Sequence, residues 1–214
     1  MNETYRNNLF DRLFIWLFTH KMARTLGMQV KLAGYEGFVE LSQQIIGGRN
    51  AAEQQEAVAA VLKSLVPGPV LQMIRTLFSP TQLVCELNAW FATVLFEWLV
   101  GPCEVTEVEV IGKNGKLRKQ KSGVHIRKCR YLESSGCVGT CINLCKLPTQ
   151  EFFCRDFGIP LTMTPNFTDL SCEMVFGQIP PPLETESAYT QPCLAERCPI
   201  AKPKASFCPS ISRL

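Results

Sequence analysis

Four cysteines fall within seventeen residues, at Cys129, Cys137, Cys141 and Cys145, and they constrain this chain more than any other feature. Thiolates this dense in sequence either converge on a soft metal, as in iron–sulfur centres, or disperse as buried thiols in a cysteine-rich core. Cys137, Cys141 and Cys145 are spaced by four. On a straight α-helix each such step climbs about 6 Å and turns about 40° beyond a full circle, so the three would draw a stripe about 12 Å long, too spread for one compact centre. A chain looped through Gly139 brings Cys137 back toward Cys141 and Cys145 on the first turns of a helix. Three ligands then meet, and a fourth comes from Cys129, Cys172 or a tail thiol such as Cys193 or Cys198. From spacing alone, iron–sulfur, zinc and metal-free buried thiols all stay open.

The 214 residues suffice for one large domain or two small ones. Apolar residues make up 46% and charged residues 19%, a globular and rather greasy composition. A net charge of +3, scattered along the chain, excludes a nucleic-acid partner. Eleven cysteines is an odd count, so complete intramolecular pairing is impossible. No secretory signal opens the sequence, which favours metal or redox work over a disulfide scaffold. The greasiest stretch, Leu83 to Val100, is interrupted by Glu86, Asn88 and Glu97, so it reads as a buried or interface-lying helix and not a membrane span.

Periodicity predicts an α+β fold: an N-terminal helical bundle over 1–101, a small cysteine-rich α/β unit with a β-hairpin over 102–178, and an extended Pro/Cys-rich tail over 179–214. Leu9 to Leu17 has helical spacing, with Gly27 as its stop. A second helix spans about Tyr35 to Ile46. Asn50 with Glu53 forms a capping box for a third, and Pro69 opens a fourth. Ser79-Pro80-Thr81-Gln82 reads as the start of a fifth, capped by Ser79 and running to Val100. Val105 to Ile111 alternates like a strand, Lys113-Asn114-Gly115-Lys116 signals a hairpin turn, and the partner strand falls within Gly123 to Tyr131. The basic run from Lys113 to Lys121 reads as a solvated edge, with docking to anionic lipid or a partner as the alternative. Pro148 begins another helix ending near Gly158, with short strands at Leu161 to Met163 and Glu173 to Phe176.

His125, on the strand leading into Cys129, is a candidate catalytic residue, whereas His20 reads as structural. An iron site of the two-histidine, one-carboxylate type would need both, and nothing in the sequence brings them together. No serine-histidine-aspartate order or phosphate-binding glycine loop is present. Trp16, Trp90, Trp98, Met163, Met174 and Phe176 read as core, and Asn166 to Asp169 as a turn.

The run Val124-His-Ile-Arg-Lys-Cys-Arg-Tyr-Leu-Glu133, the run Cys137-Val-Gly-Thr-Cys-Ile-Asn-Leu-Cys145 through Gln150, and Met163 to Gly177 resemble the plastid β-carotene isomerases of strigolactone biosynthesis, the Dwarf twenty-seven family. The N-terminal Asn8-Leu-Phe-Asp-Arg-Leu13, the Trp98 to Pro102 corner and the Pro180-Pro-Pro-Leu-Glu tail extend the likeness over nearly the whole chain. The resemblance implies an iron-containing plastid enzyme that converts all-trans-β-carotene reversibly to the 9-cis isomer, with other carotenoids as related substrates. It makes Cys129, Cys137, Cys141, Cys145 and Cys172 the metal thiols, holding iron as a [4Fe-4S] cluster, with Cys193 and Cys198 at family cysteine positions. Cys85, Cys103, Cys154 and Cys208 lie outside the motif.

The implied chemistry is reversible one-electron exchange with the polyene, which lowers its bond orders and frees rotation. Transient thiolate addition by Cys172 or a neighbouring cysteine is the alternative. An iron–sulfur electron carrier and a non-catalytic carotenoid-binding module are the competing functions. An insoluble substrate implies a membrane or lipid-droplet surface as partner, met by Phe10, Phe14, Trp16 and Phe18 or by Trp90, Phe91, Phe96 and Trp98. The electron donor is left unnamed.

Overall fold

The structure is a computed structural model that describes residues 5–77, 79–111, 115–182, 185–186, 190–191 and 193–194. The N-terminal half is helical: α1 (Leu9–Leu26), α2 (Gly34–Gly48), α3 (Ala51–Leu65), α4 (Gly68–Leu77), α5 (Gln82–Leu95) and α6 (Glu97–Val100). Two capping boxes fix helix starts. Asn8 and Asp11 exchange side-chain and backbone bonds at α1, and Asn50 and Glu53 do so at α3. Gly27, at φ 61°, ends α1 in the left-handed conformation that glycine adopts without strain.

The expected fifth helix differs in two ways. Its cap is Thr81, whose hydroxyl accepts from the Val84 N–H, not Ser79. It also breaks at Phe96, in a bridge-like conformation, so that α6 turns away before Gly101.

Two long strands follow, β1 (Cys103–Ile111) and β2 (Leu117–Ile126), the second starting earlier than its apolar residues suggest. The turn residues Lys113 and Asn114 lie outside the described residues. After α7 (Arg130–Ser135), one continuous helical segment runs from Thr140 to Phe157: a first π-helix (Thr140–Lys146), α8 (Leu147–Glu151) and a second π-helix (Phe152–Phe157). Pro148 sits inside this segment and does not begin it. Proline lacks the N–H that would bond the carbonyl four residues back, and its ring clashes there. The chain widens just before it, with the Leu147 N–H bonding Ile142 O five residues back.

Strands β3 (Leu161–Pro165) and β4 (Cys172–Phe176) complete an antiparallel sheet of order β1-β2-β4-β3. The architecture is α+β, as expected. Register pairs Val124 with Met174, Ile126 with Cys172, and Leu161 with Phe176. All of these are buried, so one face of the sheet meets the helices. The core runs from Ile15 and Phe38 through Trp98 to Met174 and Phe176. Residues 179–182 carry no regular structure, and Cys198 and Cys208 lie outside the described residues.

Candidate functional site: buried thiols at the wall of an apolar cavity

Cys129 caps the N-terminus of α7, its Sγ accepting from the Leu132 N–H at 3.5 Å. Its own N–H donates to Leu170 O at 2.7 Å, which ties the start of α7 to the turn before β4. Leu170 holds φ 65°, a strained value for a branched side chain. Asx-type bonds shape that turn, from Thr168 N to Asn166 Oδ1 and from Ser171 N to Asp169 Oδ1. Two residues beyond Leu170, Cys172 opens β4 on the buried face of the sheet.

Cys141 and Cys145 lie on the first π-helix. On an α-helix they would diverge by about 40°. The wider π winding turns less per residue and brings positions four apart closer to one face. The loop expected through Gly139 is absent, because Gly139 is itself helical at φ −59° and ψ −39°.

Four thiols lie near enough to shift one another's acidity. Burial pushes Cys141 well up, and the nearby Cys145, Cys172 and Cys129 add to the rise. Burial likewise raises Cys172 well up, with Cys129 and Cys145 contributing. Burial and Cys129 push Cys145 up to about 12. Burial raises Cys129 too, opposed by the Leu132 and Tyr131 N–H groups. Cys129, Cys141, Cys145 and Cys172 are therefore protonated free thiols near neutral pH, crowded into one apolar region.

Cys137 is buried one turn ahead, with its carbonyl accepting from Cys141 N. His125 pairs with Glu173 across β2 and β4 on the opposite face of the sheet, half-exposed. The structure does not bring it to the thiols. His20, exposed on α1, stacks on Trp16 far along the chain from His125. Cys193 is partly buried beside Val138, Ile142 and Leu147.

Three polar groups near the thiols escape the sequence reading. Lys146 is buried beside Cys145, donates to Met163 O, and pairs with Glu186 at 2.8 Å, both side chains under 10% exposed. Its charge draws Cys141 and Cys172 downward against burial. The Tyr131 hydroxyl donates to Ser42 Oγ at 2.8 Å. Burial raises it strongly, and Cys145, Cys129 and Cys141 add to the rise, which places it against the thiols. Asn143 donates to Gln54 Oε1 at 2.7 Å, joining the π-helix to α3.

A cavity of about 610 Å³ lies between the helices and the buried face of the sheet. Its walls are apolar, with Phe14 and Phe18 from α1, Phe91 and Phe96 from α5 and its end, and Met163 and Met174 from the sheet. Cys145 and Tyr131 belong to the same wall, so the thiol group meets the cavity there. Of the three tryptophans only Trp98 is core, while Trp16 and Trp90 are exposed. Among the described residues no single helix is long and apolar enough to cross a membrane.

The donor set is all sulfur, which suits a soft metal and an iron–sulfur group in particular. Among the described residues, however, no three His, Cys, Asp or Glu side chains converge tightly enough to hold a metal ion. The donor chemistry fits the group, whereas the convergence that a single zinc or iron ion needs is not met.

Residues 98–185, which contain all four thiols, match the family profile described as beta-carotene isomerase D27-like, C-terminal. The chain is 40% identical over 206 residues, 96% of its length and 79% of the relative's, to a protein of Medicago truncatula named beta-carotene isomerase D27, chloroplastic. It is 37% identical over 194 residues, 90% of its length and 72% of the relative's, to the protein of the same name in Arabidopsis thaliana. No solved structure matches the chain. Identity on this scale along nearly the whole sequence, with the thiol-bearing half inside the matched region, shows that the chain belongs to the beta-carotene isomerase D27 family.

Proposed function

We propose that this chain is a plastid carotenoid isomerase that interconverts all-trans- and 9-cis-β-carotene in the apolar cavity, with Cys129, Cys141, Cys145 and Cys172 holding an iron–sulfur group at its wall. The observation that carries the reading is the shared wall: Cys145 belongs both to the thiol group and to the cavity. The names of the two relatives support the substrate class and the plastid setting. A volume of about 610 Å³ with almost wholly apolar walls suits a hydrocarbon and offers little to a polar ligand.

An iron–sulfur group held there supplies one-electron chemistry, which suits a rotation with no net redox change. The protein's own residues do the rest. Phe14, Phe18, Phe91 and Phe96 exclude water from the polyene and restrict its shape. Tyr131, anchored by Ser42, fixes the wall between cavity and thiols. Lys146 places a positive charge where thiolates must be held, and Glu186 balances it. Cys172 is the alternative nucleophile, although Cys145 is the thiol of the four that reaches the cavity wall. The substrate's insolubility implies a peripheral position on a membrane or lipid droplet.

The deciding experiment purifies the full chain without oxygen, counts iron and sulfide, and separates carotenoid isomers after incubation with all-trans-β-carotene. Catalytic 9-cis product with iron and sulfide present supports the reading. Product formed by colourless, iron-free protein removes the iron–sulfur part, and no product at all removes the isomerase.

A further inference from the structure

The cavity opens where two exposed apolar helix faces meet solvent. Leu87 and Phe91 of α5 line the cavity and are yet 44% and 48% exposed, so they stand at its mouth. The same helix leaves Leu83, Trp90 and Val94 exposed. Helix α5 packs on β1, β2 and β4, α1 packs on α2 and α3, both touch α6, and both line the cavity. On α1, Phe14 and Leu17 line the cavity while Leu9, Phe10, Leu13 and Trp16 face out, Trp16 at 61% exposure. Patches this apolar on a single chain mark an interaction surface.

Charge tells what covers them. At 100° per residue, Arg24 lies about 20° from Leu13 and Arg12 about 40° from Trp16, so Arg24 sits on the outward face of α1 and Arg12 at its edge. Both arginines are exposed. Of the acids nearby, Asp11 closes the capping box with Asn8, Glu86 accepts from Gln82 Nε2 and the Lys121 N–H, and Glu97 lies beside Asp11 at the N-terminal end of α1, about three turns from Arg24. An apolar face edged by Arg12 and Arg24, neither of them in an ion pair among the described residues, complements an anionic lipid surface, with apolar side chains in the acyl boundary and guanidinium groups at the phosphates.

We propose that the α1 and α5 faces form one docking surface for an anionic lipid bilayer, so that the cavity mouth opens directly onto lipid and a hydrocarbon ligand passes in without crossing water. The route rests on the reading of the cavity as the carotenoid site, whereas the docking surface does not.

The test is flotation of the full chain with phosphatidylcholine vesicles made with and without phosphatidylglycerol. The variants are Trp16→Glu with Leu13→Glu on α1, Leu83→Glu with Trp90→Glu on α5, and Lys119→Glu on the hairpin as a control. The substituted residues are exposed and do not line the cavity, and melting curves check that each variant folds. Wild type and the Lys119 variant should float on the anionic vesicles, and each lip variant should bind at least about tenfold less. Equal flotation of the lip variants, equal binding to vesicles lacking phosphatidylglycerol, or a wild-type chain that stays with a second copy of itself in the soluble fraction overturns the proposal. Isomerisation measured in detergent and in vesicles separates the two readings. Lip variants active in detergent and slow on vesicles support the route, equal rates in both overturn it, and inactivity of wild type in both overturns the isomerase while flotation still decides the docking surface.

Discussion

Lys146 is an unusual lysine, because its ammonium lies under 10% exposed between a carbonyl and the Glu186 carboxylate. Removing one partner of such a pair leaves the other charge buried and unpaired. Lys146→Met should therefore cost about 3–5 kcal/mol in denaturant unfolding, and adding Glu186→Leu should restore most of it. His125 makes the opposite case. Its pairing with Glu173 on the outer face of the sheet predicts that His125→Gln keeps isomerase activity within about twofold. Cys141→Ser should lower iron retention at least about a hundredfold, read by metal analysis of the purified protein. Cys103 carries a pH signature. Burial and then Glu97 push its thiol up to about 12. A raised folded pKa gives stability that is complete below the unfolded thiol value of about 8.5 and lost as pH rises toward the folded value. Cys103→Ala should flatten the fall in melting temperature on the alkaline side of that window, measured against wild type. The thiols were legible in the sequence because cysteine density needs no fold to be noticed. Lys146 was not, because a lysine on a helix reads as solvated until Glu186 arrives from forty residues away.

Among the elements, the caps carry the sequence signal and the windings do not. Thr81 accepts the Val84 N–H, so Thr81→Ala should cost about 1 kcal/mol and Ser79→Ala almost nothing, by chemical denaturation. Both residues are good cap formers, and only the register of α5 chooses between them. The capping box at Asn50 is easier, since Glu53 three residues on leaves one register, whereas the box of Asn8 and Asp11 emerges with the structure. The π-helix was illegible in a different way. Cysteines four apart on an α-helix diverge, and a loop at Gly139 looked necessary to gather them. Pro148 instead widens the backbone ahead of it, which turns Cys141 and Cys145 toward one face without drawing in Cys137 by a loop. The break at Phe96 was likewise hidden, because residues 83 to 100 keep one apolar composition across it.

At the scale of the molecule, the helices and the sheet enclose a cavity instead of closing on each other. Space left unfilled in a core costs stability, so filling it should be tolerated while binding suffers. Ala92 lines the cavity and is buried. Ala92→Phe should weaken β-carotene binding about tenfold, by absorbance titration, and leave the melting temperature within about 4 °C of wild type. The α+β division and the greasy helical half could be read from periodicity. The cavity could not, because a phenylalanine that packs and a phenylalanine that lines a void have the same spacing. The ion pair between the π-helix and Glu186 also has a reach beyond its own neighbourhood. A protease that clips the chain ahead of Glu186 strands an ammonium in a dry interior, so shedding the C-terminal segment and loosening the sulfur-bearing helix become a single event.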